Sequence, residues 1–437
     1  MAIPGNVITF LQKMEVAGHE AYIVGGCVRD MLMGKVPHDW DVTTSARPEQ
    51  VLALFPGYAV PTGLKHGTVT VLWQGLSLEV TTFRTETAYR DHRHPDAVAF
   101  ADTLQEDLSR RDFTVNAMAM DCRGRLTDLF GGRYDLARGL LRCVGDPEQR
   151  FAEDALRIMR CLRFAATLGF SIDDATASAL RRHRSELSYV SAERLRDELC
   201  KLLCGAHAVE VLLQYPEIPG VFLPEILPCI GFDQRNCHHI YDVWEHLVRS
   251  MGAVPPEPVL RLTMLLHDIG KPQCFTVDDM GVGHFYGHAA RSAELAQDIC
   301  KRLRLDNDTA RQVVTLVRWH DRPVLCTPSA VKRALHQLGE ENFRHLAQIK
   351  RADNLAQHPD HRGRLQEIDS VMALAEQILR EDACFSLKQL AVNGNDMMAL
   401  GLRGAEIGQM LEALLNAVME GELPNERQAL LDRAGRN

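Results

Sequence analysis

The chain has 437 residues, 46% of them hydrophobic, and a formal net charge of −9. That length supports two or more cores, and the acidic balance excludes a surface coated in basic residues while leaving room for a local arginine stripe that binds phosphates. The sequence has no run of 18 apolar residues, which excludes a membrane-spanning helix, and its 12 cysteines include no CxxC pair and read as reduced thiols.

In chain order, the opening segment lacks a basic start followed by an apolar secretory stretch, so the expected location is the cytoplasm. Residues 6–18 predict a short amphipathic helix. "EAYIVGG" reads as a strand entering a tight glycine turn, and "VRDMLMG" as a helix turned toward a core. "DWDVTTS", "GTVTVLW" and "LSLEVTTFR" are β-branched and aromatic, and predict a small mixed sheet running to about residue 125. "DLFGGRYDLARG" reads as the connector that leaves this domain. From 146 to about 230 the pattern is helical. "DPEQRFAEDALRIMRCLRFAATLG" predicts one helix, with Pro147 near its start and Gly169 near its end. "SAERLRDELCKLLCG" predicts a helix with a serine cap. "HHIYDVWEHLVR", "VLRLTMLLHDIGK" and "AARSAELAQDICKRL" predict further helices, and 361–437 is helical as well.

The stretch "GGCVRDMLMGKVPHDWDVTTSA" (25–46) concentrates charge and glycine. On a strand, residues i and i+2 share a face, so Asp39 and Asp41 are expected to aim two carboxylates at one point. Like charges held that close raise each other's proton affinity, and a divalent cation relieves the conflict. Mg²⁺ suits hard oxygen ligands, usually one or two carboxylates plus substrate phosphates. The plainer reading, two solvent-exposed strand-edge acids, is ordinary for an isolated DxD. Gly25 and Gly26 permit close backbone approach to a phosphate, and Arg29 and Lys35 add nearby cations. Asp30 either orients Arg29 or is a helix-start acid. Glu79 lies in a strand-like run that leaves its facing open; polymerase-type sites use a third strand carboxylate to take the proton from an attacking hydroxyl. In "RRDFTVNAMA", read as a short apolar helix start, Arg111 is suited to hold a triphosphate through its planar fork. Asp112 either ties down that arginine or binds ribose, and Asn116 both donates and accepts hydrogen bonds.

The pieces "GGCVRDMLMG…DWD", "RRDFTVNAMA", "DLFGG", "EDALRIMRCLRF" and "SAERLRDEL", in this order over roughly residues 20–200, resemble the bacterial class II CCA-adding tRNA nucleotidyltransferases of the poly(A) polymerase-like group. The expected fold is α+β. It comprises a small mixed-sheet nucleotidyltransferase head (1–140) and an elongated all-helical neck carrying a nucleotide-selecting template (141–232). An HD phosphohydrolase-like domain (233–360) and a C-terminal helical tail expected to bind tRNA (361–437) follow. The resemblance makes Asp39 and Asp41 the magnesium ligands, with tRNA, CTP and ATP as partners; oligomeric state stays open. If "EDALRIMR" is helical, Asp154 and Arg157 stand one turn apart, and an acceptor beside a multiple donor meets the polar edge of cytosine or, after modest rotation, adenine. The bland alternative is a surface pair. The family's protein-based template assigns base selection to Asp154 and Arg157, with Glu153 orienting the arginine and Arg160 contacting base or phosphate. Glu193 and Arg194 read as braces for the template helix. The polar loop with Arg90, Asp91, Arg93 and Pro95 matches one that helps the family switch from C to A addition, which favours complete CCA addition over a poly(A) polymerase or an A-adding enzyme.

A second set, "HHIYDVWEH", "LLHDIGKP", "GHAARS", "RWHD" and "KRADN", resembles the HD phosphohydrolases. By that likeness His246, His267, Asp268 and Asp353 bind a divalent metal whose identity stays open among Mn, Fe, Ni, Co and Zn. His288 and His320 match additional histidines for another metal or a substrate phosphate. Lys271 reads either as a phosphate holder or as a solvated lysine. The implied activity is hydrolysis of phosphomonoesters or 2′,3′-cyclic phosphates, the alternative being an inactive RNA-binding body.

Overall fold

The structure, a computed structural model, describes residues 2–86, 98–381 and 383–435. It divides into two compact units, Met1–Pro224 and Glu225–Asn437.

The first unit opens with α1 (Gly5–Val16), β1 (Ala21–Val24), α2 (Gly26–Leu32), β2 (Trp40–Thr44), α3 (Pro48–Leu54), β3 (Ala59–Gly63), β4 (Thr68–Trp73) and β5 (Leu76–Thr82). An antiparallel pair, β6 (Arg84–Glu86) and β7 (Val98–Phe100), follows. The loop it brackets, with Arg90, Asp91, Arg93 and Pro95, lies outside the described residues. Then come α4 (Leu104–Ser109), β8 (Met118–Met120), β9 (Leu126–Asp128) and α5 (Gly132–Arg138). Seven strands form one mixed sheet in the order β3-β4-β5-β2-β1-β8-β9, in which β2 and β5 run parallel. Helix α1 presents Val7, Phe10, Leu11 and Met14, spaced three and four apart, to this sheet's core. Val42, Val69, Val71, Leu78 and Val80 belong to that core. Alternation along β2 and β5 therefore sends Asp41 and Glu79 to the opposite face.

"DLFGGRYDLARG", expected as a connector, carries the last residue of β9, Asp128, and forms the helix α5, whose first amides donate to the Asp128 carboxylate (Gly132 N 2.8 Å, Arg133 N 2.9 Å). Two further expectations differ from the structure. "FTVNAMA" is a single 3-10 turn over Thr114–Asn116 running into strand β8, not a helix start. The helix expected from Pro147 to Gly169 is two: α6 (Pro147–Glu153) and α7 (Leu156–Leu168). Asp154 between them is extended (φ −141°, ψ 101°), and its carboxylate accepts from Leu156 N at 3.1 Å, capping the new helix.

A short parallel pair, β10 (Leu140–Leu141) with β11 (Ser171–Ile172), flanks these helices. The unit closes with α8 (Asp174–His183), α9 (Ala192–Leu203) and α10 (Ala208–Gln214). Ser191 occupies the N-cap position of α9, but its side chain makes no cap hydrogen bond.

The second unit is mainly helical. It contains α11 (Val243–Gly252), α12 (Pro258–Leu266), the small hairpin β12 (Thr276–Val277) and β13 (Gly283–His284), α13 (His288–Arg302), α14 (Asn307–Trp319) and α15 (Pro328–Leu355). A non-helical Gly339 kinks α15. The helix expected over "HHIYDVWEHLVR" begins only at Val243, where Asp242 caps it through Glu245 N at 2.7 Å. The HD pair likewise sits just beyond the last residue of α12. Helices α16 (Arg364–Arg380), α17 (Gly394–Ala399), α18 (Ala405–Glu420) and α19 (Arg427–Ala434) finish the chain. Met397, Leu414, Leu415, Val418 and Leu430 form a separate apolar cluster there.

Candidate functional site

In the first unit, acids and arginines converge on the exposed side of β2 and β5. Asp41 and Glu79 are register partners across the parallel pair, so their side chains share a face. Asp39 is exposed and lies one residue before β2, so strand alternation is not what brings it to the site. Burial raises the Asp41 carboxyl above its usual range. Arg111 opposes that rise, Glu79 and Asp39 add to it, and Arg160 also pulls it down.

The glycine turn belongs to the same place. Gly25 has φ +79°, a conformation that favours glycine, and a Cβ there would lie 3.2 Å from Arg111 Nη1 and 3.7 Å from Asp41 Oδ2. Its backbone thus abuts both a guanidinium and a carboxylate. Gly26 opens α2, and Arg29 from that helix is buried. Arg29 donates to Asn116 Oδ1 at 2.7 Å and to Asp30 Oδ1 at 2.9 Å, so Asp30 does orient it.

Asp112 does not tie down Arg111. It is buried and accepts from Arg160 Nε at 2.9 Å and Nη2 at 2.6 Å, from Phe113 N at 2.8 Å and from Asn116 Nδ2 at 3.2 Å. Burial opposes its charge, but these donors outweigh burial and hold the carboxyl at about 2. Arg111 is instead held by Asp107, whose Oδ2 lies 3.1 Å from Arg111 Nη2 and also accepts from Thr43 Oγ1 at 3.0 Å. Asp107 was missed in the sequence. Its spacing of three and four residues from Arg110 and Arg111 was the available signal. Glu198 was missed too: it lies 2.6 Å from Arg163 and 3.8 Å from Arg160. Arg29, Arg160 and Arg163 all approach the ring of Phe164, at 5.2, 5.4 and 3.8 Å.

Because the helix breaks, Asp154 and Arg157 do not share a helix face. Arg157 is buried and donates to Glu153 Oε2 (2.6 Å), Arg150 O (3.1 Å) and Arg110 O (2.8 Å). Glu153 thus orients it. Asp154 Oδ2 accepts from Arg194 Nη2 at 2.8 Å, an actual brace between "EDALR" and α9.

Asp112 also yields a stability prediction. A folded carboxyl at about 2 against about 3.9 unfolded contributes roughly 2 kcal/mol, fully present above the unfolded pKa and lost as pH falls through the folded one. The stability gap between wild type and Asp112→Asn should therefore narrow by about 2 kcal/mol between pH 5 and pH 2. Urea unfolding across that range measures it, and a pH-independent gap would refute the assignment.

The second unit holds a denser constellation. Donor atoms of His246, His267, Asp268 and Asp353 lie within 4.8 Å of one another, as do those of Asp268, His288 and His320. Among the described residues these are the groups of three or more donors so gathered. His267, His288 and His320 each point Nδ1 at a backbone carbonyl (Met264 O 2.7 Å, Phe285 O 2.8 Å, Val317 O 2.6 Å). The carbonyl needs a donor, so Nδ1 carries the proton and Nε2 is presented inward, the orientation metal-binding imidazoles adopt. His267 Nε2 lies 3.2 Å from Asp268, and His246 Nε2 lies 3.0 Å from Asp353. Those two nitrogens and Asp268 Oδ1 are buried without a properly angled hydrogen bond among the described residues, which a cation between them would remedy. Burial opposes charging His267, but Asp268 and Asp353 outweigh it and push the imidazole up to about 10. Lys271 is not solvated: it is buried, 2.7 Å from Asp268 and 2.8 Å from Gln234 Oε1. A cavity of about 410 Å³ opens on this cluster.

A family model described as the poly A polymerase head domain matches residues 21–142. A model described as the probable RNA and SrmB-binding site of polymerase A matches 169–226, and one described as tRNA nucleotidyltransferase domain 2, putative, matches 286–434. A CCA-adding enzyme of Lactobacillus delbrueckii subsp. bulgaricus is 52% identical over 423 residues, covering 97% of this chain and 95% of the relative. The CCA-adding enzyme of Lactiplantibacillus plantarum is 34% identical over 440 residues, covering 97% and 94%. The crystal structure of the Bacillus stearothermophilus CCA-adding enzyme in complex with CTP matches with a TM-score of 0.75 at 30% identity, over 99% of this chain and 96% of that one. With the head-domain match falling on the same sheet that gathers Asp41, Glu79, Arg111 and Gly25, the chain belongs to the bacterial CCA-adding enzymes, within the poly(A) polymerase-like nucleotidyltransferases.

Proposed function

We propose that this chain adds CCA to the 3′ end of tRNA from CTP and ATP. The observation that carries the reading is the meeting of Asp41, its strand partner Glu79, the Gly25 backbone and Arg111 on one sheet face. The donor set fits a hard cation: Asp39, Asp41 and Glu79 offer carboxylate oxygens and no sulfur or imidazole. Asp39 and Asp41 would hold magnesium, which supplies Lewis acidity that lowers the pKa of the tRNA 3′-hydroxyl and offsets negative charge on the phosphates. Glu79 accepts the hydroxyl proton as the 3′-oxygen forms its bond to the α-phosphorus. The bond to the bridging oxygen breaks, and pyrophosphate leaves. Gly25 and Gly26 let the backbone approach the triphosphate, and Arg29 and Arg111 grip it, each already aimed by a carboxylate or amide partner. Asp112 and Asn116 position Arg160 and Arg29. Asp154 and Arg157 select the base, assisted by Arg160. In the state described here Arg157 donates to Glu153, Arg150 O and Arg110 O, so base recognition has to accommodate or exchange these contacts.

The second unit supports a further activity of the same protein, a metal-dependent phosphohydrolase of the HD type. His246, His267, Asp268 and Asp353 would hold one divalent ion, and Asp268, His288 and His320 offer a second set sharing the same carboxylate. Its substrates are phosphomonoesters or 2′,3′-cyclic phosphates at nucleotide ends. The tail at 361–437 binds tRNA.

Incubating the protein with tRNA transcripts lacking CCA, ending in CC, or ending in a 2′,3′-cyclic phosphate tests both activities. CTP and ATP are supplied separately and together, and product ends are sequenced. CCA addition is expected on the first transcript, a single A on the second, and conversion of the cyclic end on the third. Long A tracts would replace the first reading with poly(A) synthesis, and addition of A only to CC ends would make this an A-adding enzyme.

A further inference from the structure

The cavity over the histidine–aspartate cluster is larger than a phosphate needs. At about 410 Å³ it falls in the range of sites that enclose a whole small molecule. One wall is aromatic. Tyr286 lines this cavity and is 79% exposed. Its ring lies nearly parallel to that of His284, 8° apart with centroids at 5.4 Å. His284 is itself fixed by Asp278, whose Oδ2 lies 2.9 Å from its Nε2, across the β12–β13 hairpin. Tyr286 is also tied to the cluster through the chain. The preceding carbonyl, Phe285 O, accepts from His288 Nδ1 at 2.8 Å, and His288 Nε2 lies 3.2 Å from Asp268. A large ring is thus held flat, open to solvent and within two residues of a candidate metal ligand.

We infer that Tyr286, backed by His284, is the stacking platform for the base of a nucleotide whose 2′- or 3′-phosphate lies at the histidine–aspartate cluster. This rests on the phosphohydrolase reading of that cluster and adds what the substrate must carry besides a phosphate. Aromatic rings stack on any base, so the platform selects for a nucleoside without choosing among bases. Tyr286 touches substrate only through the base and takes no part in bond breaking.

The test uses the full chain, both stripped of metal by chelation and reloaded with Mn²⁺, and measures equilibrium binding by calorimetry. The probes are adenosine 3′-phosphate, a short RNA ending in a 3′-phosphate, and glycerol 2-phosphate, which has a secondary phosphate ester and no base. Tyr286→Ala is expected to weaken the two nucleotide probes about tenfold and leave glycerol 2-phosphate unchanged, while Tyr286→Phe binds as wild type. A larger effect on the RNA than on the free nucleotide identifies an RNA end as the ligand; equal effects identify a mononucleotide. Equal weakening of all three probes, no weakening of any, or no nucleotide binding by wild type overturns the platform. If the selective effect appears but the Mn²⁺-loaded protein hydrolyses nothing, the platform stands and the hydrolase reading falls. If hydrolysis proceeds and Tyr286→Ala is indistinguishable from wild type, the reverse holds.

Discussion

Asp41→Ala is expected to reduce nucleotide addition to tRNA by about 10³-fold or more while leaving the hydrolysis proposed for the second unit at its wild-type rate. Asp41 faces Glu79 in register, is held partly buried beside Arg111, and has its proton affinity raised by burial and by the neighbouring acids. On the proposed mechanism, removing it deletes a carboxylate oxygen where charge develops. Asp39→Ala should behave alike. His267→Ala should do the opposite: addition persists, and hydrolysis of 2′,3′-cyclic phosphate ends is lost. The cause is again local, since His267 is fully buried and presents Nε2 to both Asp268 and Asp353. Steady-state rates of CTP incorporation and of cyclic-end conversion, measured on each purified variant, separate the two sites. A variant set in which both rates always fall together would mean that the two constellations do not act as independent centres.

Gly132→Ala is expected to destabilise the first unit by about 3 kcal/mol, the upper part of the range for forcing one methyl into a packed core. A Cβ at Gly132 would lie 2.2 Å from Thr114 O and 2.9 Å from Met118 Cγ. The first of these is backbone, so no side-chain rotation relieves the contact. Thr114 opens the 3-10 turn that carries Asn116, and its hydroxyl donates to Asp135 of α5 at 2.6 Å, so the shift spreads toward the partners of Arg29. For a unit of this size the midpoint of its thermal transition should drop by roughly 6–12 °C. Gly5→Ala is the control: a Cβ there meets nothing within 4 Å, and its transition should stay within about 1 °C of wild type. A Gly132→Ala protein that melts with the control would show that α5 can slide away from Thr114 without loss.

Much of this site is legible in the sequence because its parts are local. Period-two runs of β-branched residues mark β2, β4 and β5, and "GG" marks the turn that needs a positive φ at Gly25. The order of His246, His267, Asp268, His288, His320 and Asp353 likewise survives translation into one cluster. What the sequence hides is register and competition. Nothing in "LSLEVTT" says that Glu79 sits opposite Asp41, because that depends on which strand β5 pairs with. Nothing near Asp154 carries a proline or glycine, yet the helix stops there, since the Asp154 carboxylate offers the Leu156 amide a cap and Arg194 holds the other oxygen. Asp112 follows Arg111 in sequence, whereas its guanidinium partner is Arg160, 48 positions away.

That last pairing has a consequence for anyone wishing to redesign the enzyme. Arg29, Asn116, Asp112, Arg160, Glu198 and Arg163 are linked in a single polar relay from α2 to α9. On the proposed mechanism, Arg29 at the triphosphate and Arg160 beside the base therefore share one scaffold. Changes around Arg160 made to alter nucleotide choice are then expected to disturb the hold of Arg29 as well, so specificity and affinity would have to be evolved together.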